Sequence, residues 1–402
     1  MTHAQAISAT PIPDGAAAPL VGRLEQAGLI AVMVMAVAVQ FSIAIAQVML
    51  TIAVLCWIGI VALGHERPSV PRFFWALLGY AGWTLVSAAL SGNPRLSLVD
   101  SKQLVLLLVV PVVVRLVPVS RRPLLLTIVM SLGAASAAYG LFQWALLHYD
   151  EVGQRPQGTL GHYMTYSGLL MLVLGIALSK LLFARGERVW AALVMPALLM
   201  AMALTLSRNA WVGAFAAAAV LLARKDFRLL IALPVVAFIT LSLAGAAVNA
   251  RLLSMFNSQD ATRLDRVAML REGTQMVRDH PLVGVGPNMV KELYEQYRVP
   301  GAVERVNPHL HNNPMQIAAE RGLPALALWL VAIGLLLVDT ARAFRDKPCR
   351  PVAGAALAAV VAMLAGGMFE YNFGDSEFLM LFLLITALPF AAARPAPENA
   401  AA

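Results

Sequence analysis

The sequence predicts an all-α polytopic membrane protein with about twelve transmembrane helices and one long, partly helical loop. Three observations carry that prediction. Hydrophobic residues make up 60% of the 402-residue chain and charged residues only 13%, about half the charge of a soluble globular domain. The apolar residues fall into runs of roughly 20, the length an α-helix needs to cross a hydrocarbon layer about 30 Å thick. Residues 249–323 break the pattern with about 75 polar and charge-mixed residues, where connectors normally run to a few residues.

The formal net charge of +8 does not point to nucleic acid. The basic residues lie between apolar runs, where they set topology and meet anionic lipid headgroups. Cys56 sits in an apolar run and Cys349 in a basic connector, so neither a disulfide framework nor a thiolate metal site is implied.

Residues 1–22, rich in Ala and Pro, read as a flexible cytoplasmic tail. They lack the compact basic start and cleavage site of a signal peptide. Residues 27–63 are right for two spans, with the turn marked by Gln40, Ser42 and Gln47. A third span over 73–90 ends at Ser91-Gly92-Asn93-Pro94, a strong turn signal. The fourth covers 103–117, with a kink expected at Pro111. The fifth covers 124–147, and a short polar segment, 148–161, separates it from the sixth at 163–183. The seventh covers 190–206. Ser207-Arg208-Asn209 interrupts the apolar run before the eighth at 210–222, and the ninth covers 229–248. After the polar segment come spans over 324–339, 352–369 and 378–390. The domain plan is thus a tail (1–22), nine helices (23–248), a loop (249–323), three helices (324–393) and a second tail (394–402).

Lys and Arg set the orientation. With the N-terminus in the cytoplasm, the inner connectors and tails hold seventeen of them and the short outer connectors four, Arg95, Lys102, Arg155 and Arg208. Residues 249–323 then face the periplasm or its equivalent. Within them, 264–277 places Val267, Leu270, Thr274 and Val277 at helical spacing, an amphipathic helix ending near His280-Pro281. A second helix is expected over 288–297 with Asn288 as its N-cap.

The outer face gathers the candidate chemistry. Arg208 interrupts a helix pair at membrane depth, where a charge needs a partner or ligand; it is either an anion clamp or a snorkelling turn residue. Arg266 lies on the amphipathic helix and is either a second anion ligand or part of a solvated face. His311 precedes the tenth span, and histidine is the side chain suited to proton transfer near neutral pH. His309, two residues away, is poorly spaced to share a metal with it on one helix face. Asp375-Ser376-Glu377 reads as a helix start, so no obligatory metal or other cofactor is expected. Arg95 and Arg155 are candidate substrate contacts or lipid contacts in outer connectors.

Three stretches carry a resemblance. They are Ser207-Arg208-Asn209-Ala210-Trp211, Arg266 fourteen residues before His280-Pro281-Leu282-Val283-Gly284-Val285-Gly286, and His311-Asn312-Asn313-Pro314-Met315-Gln316 followed by Glu320-Arg321-Gly322-Leu323. In this order, on this topology, the chain resembles the O-antigen ligase and polymerase superfamily of bacterial membrane glycosyltransferases. The single long outer loop between late helices looks most like O-antigen ligase.

The resemblance implies a C-type glycosyltransferase architecture in the bacterial inner membrane. It implies a donor glycan on undecaprenyl diphosphate, a lipid A–core oligosaccharide as acceptor, and transfer on the periplasmic side. It gives Arg208, Arg266 and His311 catalytic positions, with Arg263 one turn from Arg266 as its alternative and Asn312 beside the histidine. The chemistry fits the residues: fixed guanidinium groups neutralise a diphosphate leaving group without a metal, and a base activates the acceptor hydroxyl, giving inversion. A polymerase or a protein O-oligosaccharyltransferase would differ in acceptor. A lipid-linked sugar transporter would need mid-span charges or an internal repeat.

Overall fold

The computed structural model describes residues 18–151, 153–257 and 259–391. Among them the chain is all-helical: α1 (Ala18–Ala38), α2 (Ile43–Leu63), α3 (Arg72–Ala89), α4 (Pro94–Asp100), α5 (Val109–Leu116), α6 (Arg122–Leu147), α7 (Tyr163–Phe183), α8 (Arg188–Leu204), α9 (Arg208–Lys225), α10 (Ala232–Leu253), α11 (Ala261–Asp279), α12 (Met289–Tyr297), α13 (Asn313–Ala343), α14 (Arg350–Gly366) and α15 (Ser376–Ala387). Among the described residues eight helical stretches are long and apolar enough to cross a membrane, and α14 and α15 are shorter apolar helices. Reaching the expected count of about twelve requires α3, α9, α14 and α15 as well.

Several expected boundaries shift. Residues 18–22 already belong to α1; 1–17 and 392–402, including Arg394, lie outside the described residues. The fourth span starts at Pro94, not 103, because Asn93 caps it by accepting from the Leu96 amide. Pro111 does not kink its own helix. The irregularity lies one turn earlier, where Ser101–Leu108 is 3₁₀. Proline cannot donate to the carbonyl four residues back and its ring crowds it, which places the break between α4 and α5. The tenth span begins at Asn313, eleven residues before Pro324, and bends at Gly322 (φ 80°).

Of the eight candidate spans α7 is the one most enclosed by its neighbours, whereas α10 lies almost wholly on the periphery. α14 packs on α7 and α9 through a run of Ala and Gly, small residues that let helices approach closely where lipid offers no hydrophobic drive.

Ion pairs tie several connectors: Arg72 pairs with Asp339 (Nε–Oδ2 2.7 Å), Arg115 with Glu66 and Glu25, and Lys180 with Glu187. The long segment docks on the bundle. Ser87 donates to the Glu320 carbonyl (2.9 Å), Ser97 to the Pro287 carbonyl (2.9 Å) and Trp83 to the Leu282 carbonyl (3.2 Å).

The long segment has its own apolar core of Met269, Met276, Val285, Met289, Val290, Leu310 and Ala319. Val285, Gly286 and Leu323 amides donate to the carbonyls of Ala319, Glu320 and Pro281 (2.8–2.9 Å), clasping the 281–286 turn to the α13 bend. α11 forms as expected but buries a different face. Asp265, Ala268, Met269, Glu272, Gly273 and Met276 point inward, while Val267 and Leu270 stay about 40% exposed. The two buried carboxylates explain the rotation, because each finds donors in the returning chain. Asp265 accepts from the amides of Val303 and Glu304 and from Asn307, and Glu272 accepts from the Val299 amide. Asn288 is the α12 N-cap, but in left-handed conformation (φ 59°) without a side-chain cap bond.

Candidate active site

Two segments with left-handed residues set up the site. Leu206 (φ 54°) turns the chain sharply between α8 and α9, so Arg208 becomes the first residue of α9. A cation at a helix N-terminus opposes the macrodipole, but together they make a strong anion site. A carboxylate stands there: Asp260 Oδ1 lies 3.0 Å from Arg208 Nη2, and Arg208 Nη1 donates to Ser254 (3.1 Å). Burial alone would raise the Asp260 carboxyl, but the Arg208 hydrogen bond and charge and the Arg263 amide bring it below the ordinary value.

His311 is the second left-handed residue (φ 48°). Asn312 holds it in place: its side chain caps α13 by accepting from the Met315 amide (2.8 Å) and donates to the Met368 carbonyl (2.9 Å). Asn313 extends the clamp: its amide donates to the Gly367 carbonyl (2.7 Å) and its side chain to Asn372 (2.7 Å). The α14–α15 connector is thereby pressed against the histidines, and it carries Glu370. His311 Nδ1 lies 2.8 Å from Glu370 Oε2, and His309 Nε2 lies 3.6 Å from Glu370 Oε1. The two imidazoles meet edge to face with centroids 4.2 Å apart.

The electrostatics separate the roles. Burial pushes the Glu370 carboxyl up, but His311, His309 and Arg266 outweigh it and hold it down at about 2. It is an anion. Burial lowers His309 to about 4 against the pull of Glu370, so His309 is neutral near pH 7. Burial also lowers the Arg266 guanidinium, with Glu370 supporting and Arg208 opposing its charge; it stays protonated.

Arg208, Arg263, Arg266, His311 and Asn312 line one cavity of ≈ 290 Å³, at the edge of the usual small-molecule range. Its other wall is apolar, formed by Val212, Met255, Val267, Leu270, Met368 and Phe369. Arg266 is half-buried and Arg263 exposed, which makes Arg266 the inner of the two. The rotated α11 face now has a reason, since Val267 and Leu270 face this cavity.

Other expected residues fall differently. Arg155 stacks on Tyr163 (3.8 Å from guanidinium to ring centroid), and its charge is felt by Arg208. Arg95 is exposed at the start of α4 and does not line this cavity. Asn312 reaches the cavity, but its amide is committed at both ends, so it positions His311.

The sequence reading missed Glu370, Asp260 and Arg251. The charge of Arg251 interacts with Arg208, Arg155, Asp260 and Arg266. The only signal in the chain was a lone acid at the end of an apolar run. Sequence spacing also argued against a metal at His309 and His311. In the irregular chain before α13 both reach one carboxylate, and ligand atoms of His309, His311 and Glu370 lie within 4.8 Å of one another. This is a trio able to hold an ion.

The fold and site define a class: a polytopic helical membrane protein with a cationic, half-apolar cavity beside a carboxylate-backed imidazole. Within that class, residues 192–330 match the family model described as O-antigen ligase. The family is one of glycosyltransferase-like enzymes of lipopolysaccharide synthesis. The match contains Arg208, Arg266 and His311, and Glu370 lies beyond it. No curated protein matches the chain.

Proposed function

We propose that the protein is an O-antigen ligase. It transfers a glycan from undecaprenyl diphosphate to the lipid A–core oligosaccharide on the periplasmic face of the bacterial inner membrane. The observation that carries this reading is the shared cavity of Arg208, Arg266 and His311, with His311 backed by Glu370.

Arg208 and Arg266 hold the diphosphate. Their planar forks bind its oxygens in pairs and neutralise charge as the leaving group departs. The apolar wall from Val212 to Phe369 suits the polyprenyl chain joined to that diphosphate. Glu370 accepts Nδ1–H of His311, leaving Nε2 free to accept a proton. The acceptor hydroxyl gives its proton to Nε2 as its oxygen bonds to the anomeric carbon, and the carbon–phosphate oxygen bond breaks on the opposite face. The products are an inverted glycoside and undecaprenyl diphosphate. Guanidinium groups supply the neutralisation a divalent ion would otherwise give, so the reaction runs without metal. The domain plan belongs to the same reading: residues 249–323 form a periplasmic loop between nine helices and three.

The test is reconstitution in liposomes with a lipid-linked glycan and lipid A–core, with and without a chelator. Transfer that survives chelation supports the reading. Transfer only to a second lipid-linked glycan, or only to protein, assigns a different acceptor. Loss on chelation, restored by a divalent ion, assigns the His309–His311–Glu370 trio to metal.

A further inference from the structure

His309, His311 and Glu370 offer one ligand atom each, all within 4.8 Å of one another. His311 Nδ1 is 2.8 Å from Glu370 Oε2, and His309 Nε2 is 3.6 Å from Glu370 Oε1. Around a tetrahedral ion with bonds of roughly 2.0–2.2 Å, ligand atoms stand about 3.3 Å apart. The two spacings bracket that value, so an ion fits among these atoms after side-chain shifts of less than about 1 Å.

Two imidazoles and a carboxylate are the three-ligand set of open zinc sites, with a fourth position left for water. Nitrogen donors favour zinc, cobalt, nickel or copper over magnesium and calcium, which take oxygen. The trio is also held in place before any ion arrives. Asn312 and Asn313 bond the Met368 and Gly367 carbonyls, and the Tyr371 amide donates to Glu370 Oε1 (3.1 Å).

His309 Nδ1 is buried without a hydrogen-bond partner. Apart from Glu370, then, no protein group fixes which of its nitrogens carries the proton, and Nε2 is free to turn its lone pair to an ion. The same missing partner denies the site the outer hydrogen bond that metal-bound imidazoles usually make. The Arg266 charge, felt by both His309 and Glu370, opposes a cation further. Both features weaken binding, which suits an ion that comes and goes rather than a structural one.

We propose that His309, His311 and Glu370 form a reversible inhibitory site for a divalent transition-metal ion such as zinc. The inhibitory effect rests on the ligase reading; the binding does not. In that reaction His311 keeps a proton on Nδ1, facing Glu370, and receives the acceptor's proton on Nε2. An ion bound to Nδ1 takes the proton's place, and the ring proton moves to Nε2. The nitrogen that has to accept a proton already holds one, so transfer stops. Arg208 and Arg266 are not ligands to the ion, so the donor still binds. Removing the ion returns the proton to Nδ1 and restores the base.

The experiment uses untagged full-length protein in detergent, stripped with chelator and then freed of it, with Co²⁺ as a coloured probe. Wild type should develop the visible bands of four-coordinate cobalt; zinc should bleach them and magnesium should not. His309→Gln should weaken cobalt binding at least about a hundredfold, because losing even an outer hydrogen bond to a ligand costs about 10–100-fold. His280→Gln, at an exposed histidine outside the trio, should leave it unchanged. In the liposome assay zinc should lower kcat in wild type with donor KM unchanged, and chelator should reverse it. Transfer by His309→Gln, normalised to its own value in chelator, should need about a hundredfold more zinc for the same inhibition.

No cobalt bands in wild type, or equal bands in wild type and His309→Gln, overturns the proposal. So does zinc that binds the trio yet leaves kcat unchanged or raises it. Should His309→Gln fail to fold, His311→Gln, read by the cobalt bands alone, decides the binding. If the bands depend on the trio but nothing is transferred even in chelator, the ligase reading fails and the metal site stands. If transfer runs in chelator and zinc never inhibits it, the ligase reading stands and the inhibitory site fails.

Discussion

His311 and Glu370 are 59 residues apart in sequence, yet Nδ1 of one lies 2.8 Å from Oε2 of the other. The carboxylate is buried and held anionic, so an Nδ1–H donated to it would fix the imidazole tautomer. Glu370→Gln should lower kcat for transfer about 10²-fold or more, within the range of a general base, with little change in donor affinity. His311→Ala should lose at least as much, and the double variant little further, because the two act as a unit. Independent, multiplying losses would show that Glu370 acts elsewhere.

Arg208 should not tolerate lysine. It reaches Ser254 and Asp260 with separate nitrogens, a fork that a point charge cannot copy. Arg208→Lys should lose transfer about 10²-fold in membranes holding normal amounts of protein. Arg266→Ala should match it and Arg263→Ala should do less, since Arg266 lies deeper. Equal losses at 263 and 266 would give both residues the same role.

Asp260 occupies the anion position at Arg208, so in the proposed reaction a diphosphate would have to displace it. Asp260→Asn keeps the α11 cap but removes the competing charge. Donor affinity, measured by titration with undecaprenyl diphosphate, should tighten about threefold to tenfold. Weaker binding would instead make Asp260 the residue that aims Arg208.

The α13 bend depends on Gly322. Its φ is 80°, and a Cβ there would run into the Leu282 carbonyl. That carbonyl belongs to the turn clasped against α13. Gly322→Ala should destabilise the loop by about 1–3 kcal/mol, seen as a lower melting temperature in detergent and faster proteolysis within 249–323. Gly334→Ala, in open space on the same helix, is the control and should leave both unchanged.

Acid should destabilise the site in two windows. His309 is lowered to about 4 from its ordinary 6.5. Between those values the unfolded chain binds a proton that the folded chain does not, so stability falls as pH drops from 6.5 to 4. Glu370 is held at about 2, below its ordinary 4.5, and its contribution is lost as pH falls from 4.5 to 2. Melting temperature in chelator should decline from pH 7 to 4, and His309→Gln should flatten the upper part. A level profile in wild type would show that His309 is not held neutral.

The sequence alone determined the membrane class, most helices and the identities of the cationic residues and His311, because these follow from local facts. Apolar run length answers to bilayer thickness, a cation at membrane depth needs a partner, and turn residues mark the ends. Tertiary structure decided what touches what. Which face of α11 turns inward depended on donors for Asp265 and Glu272, supplied by chain about 30–40 residues later. The partner of His311 came from a connector that Asn312 and Asn313 pull into place, so Glu370 carried no local sign of its role. The cavity lined by Asp100, Thr165, Glu320 and Glu370 likewise exists only where α4, α7, α13 and the α14–α15 connector converge, since such convergence leaves no period or spacing in the chain.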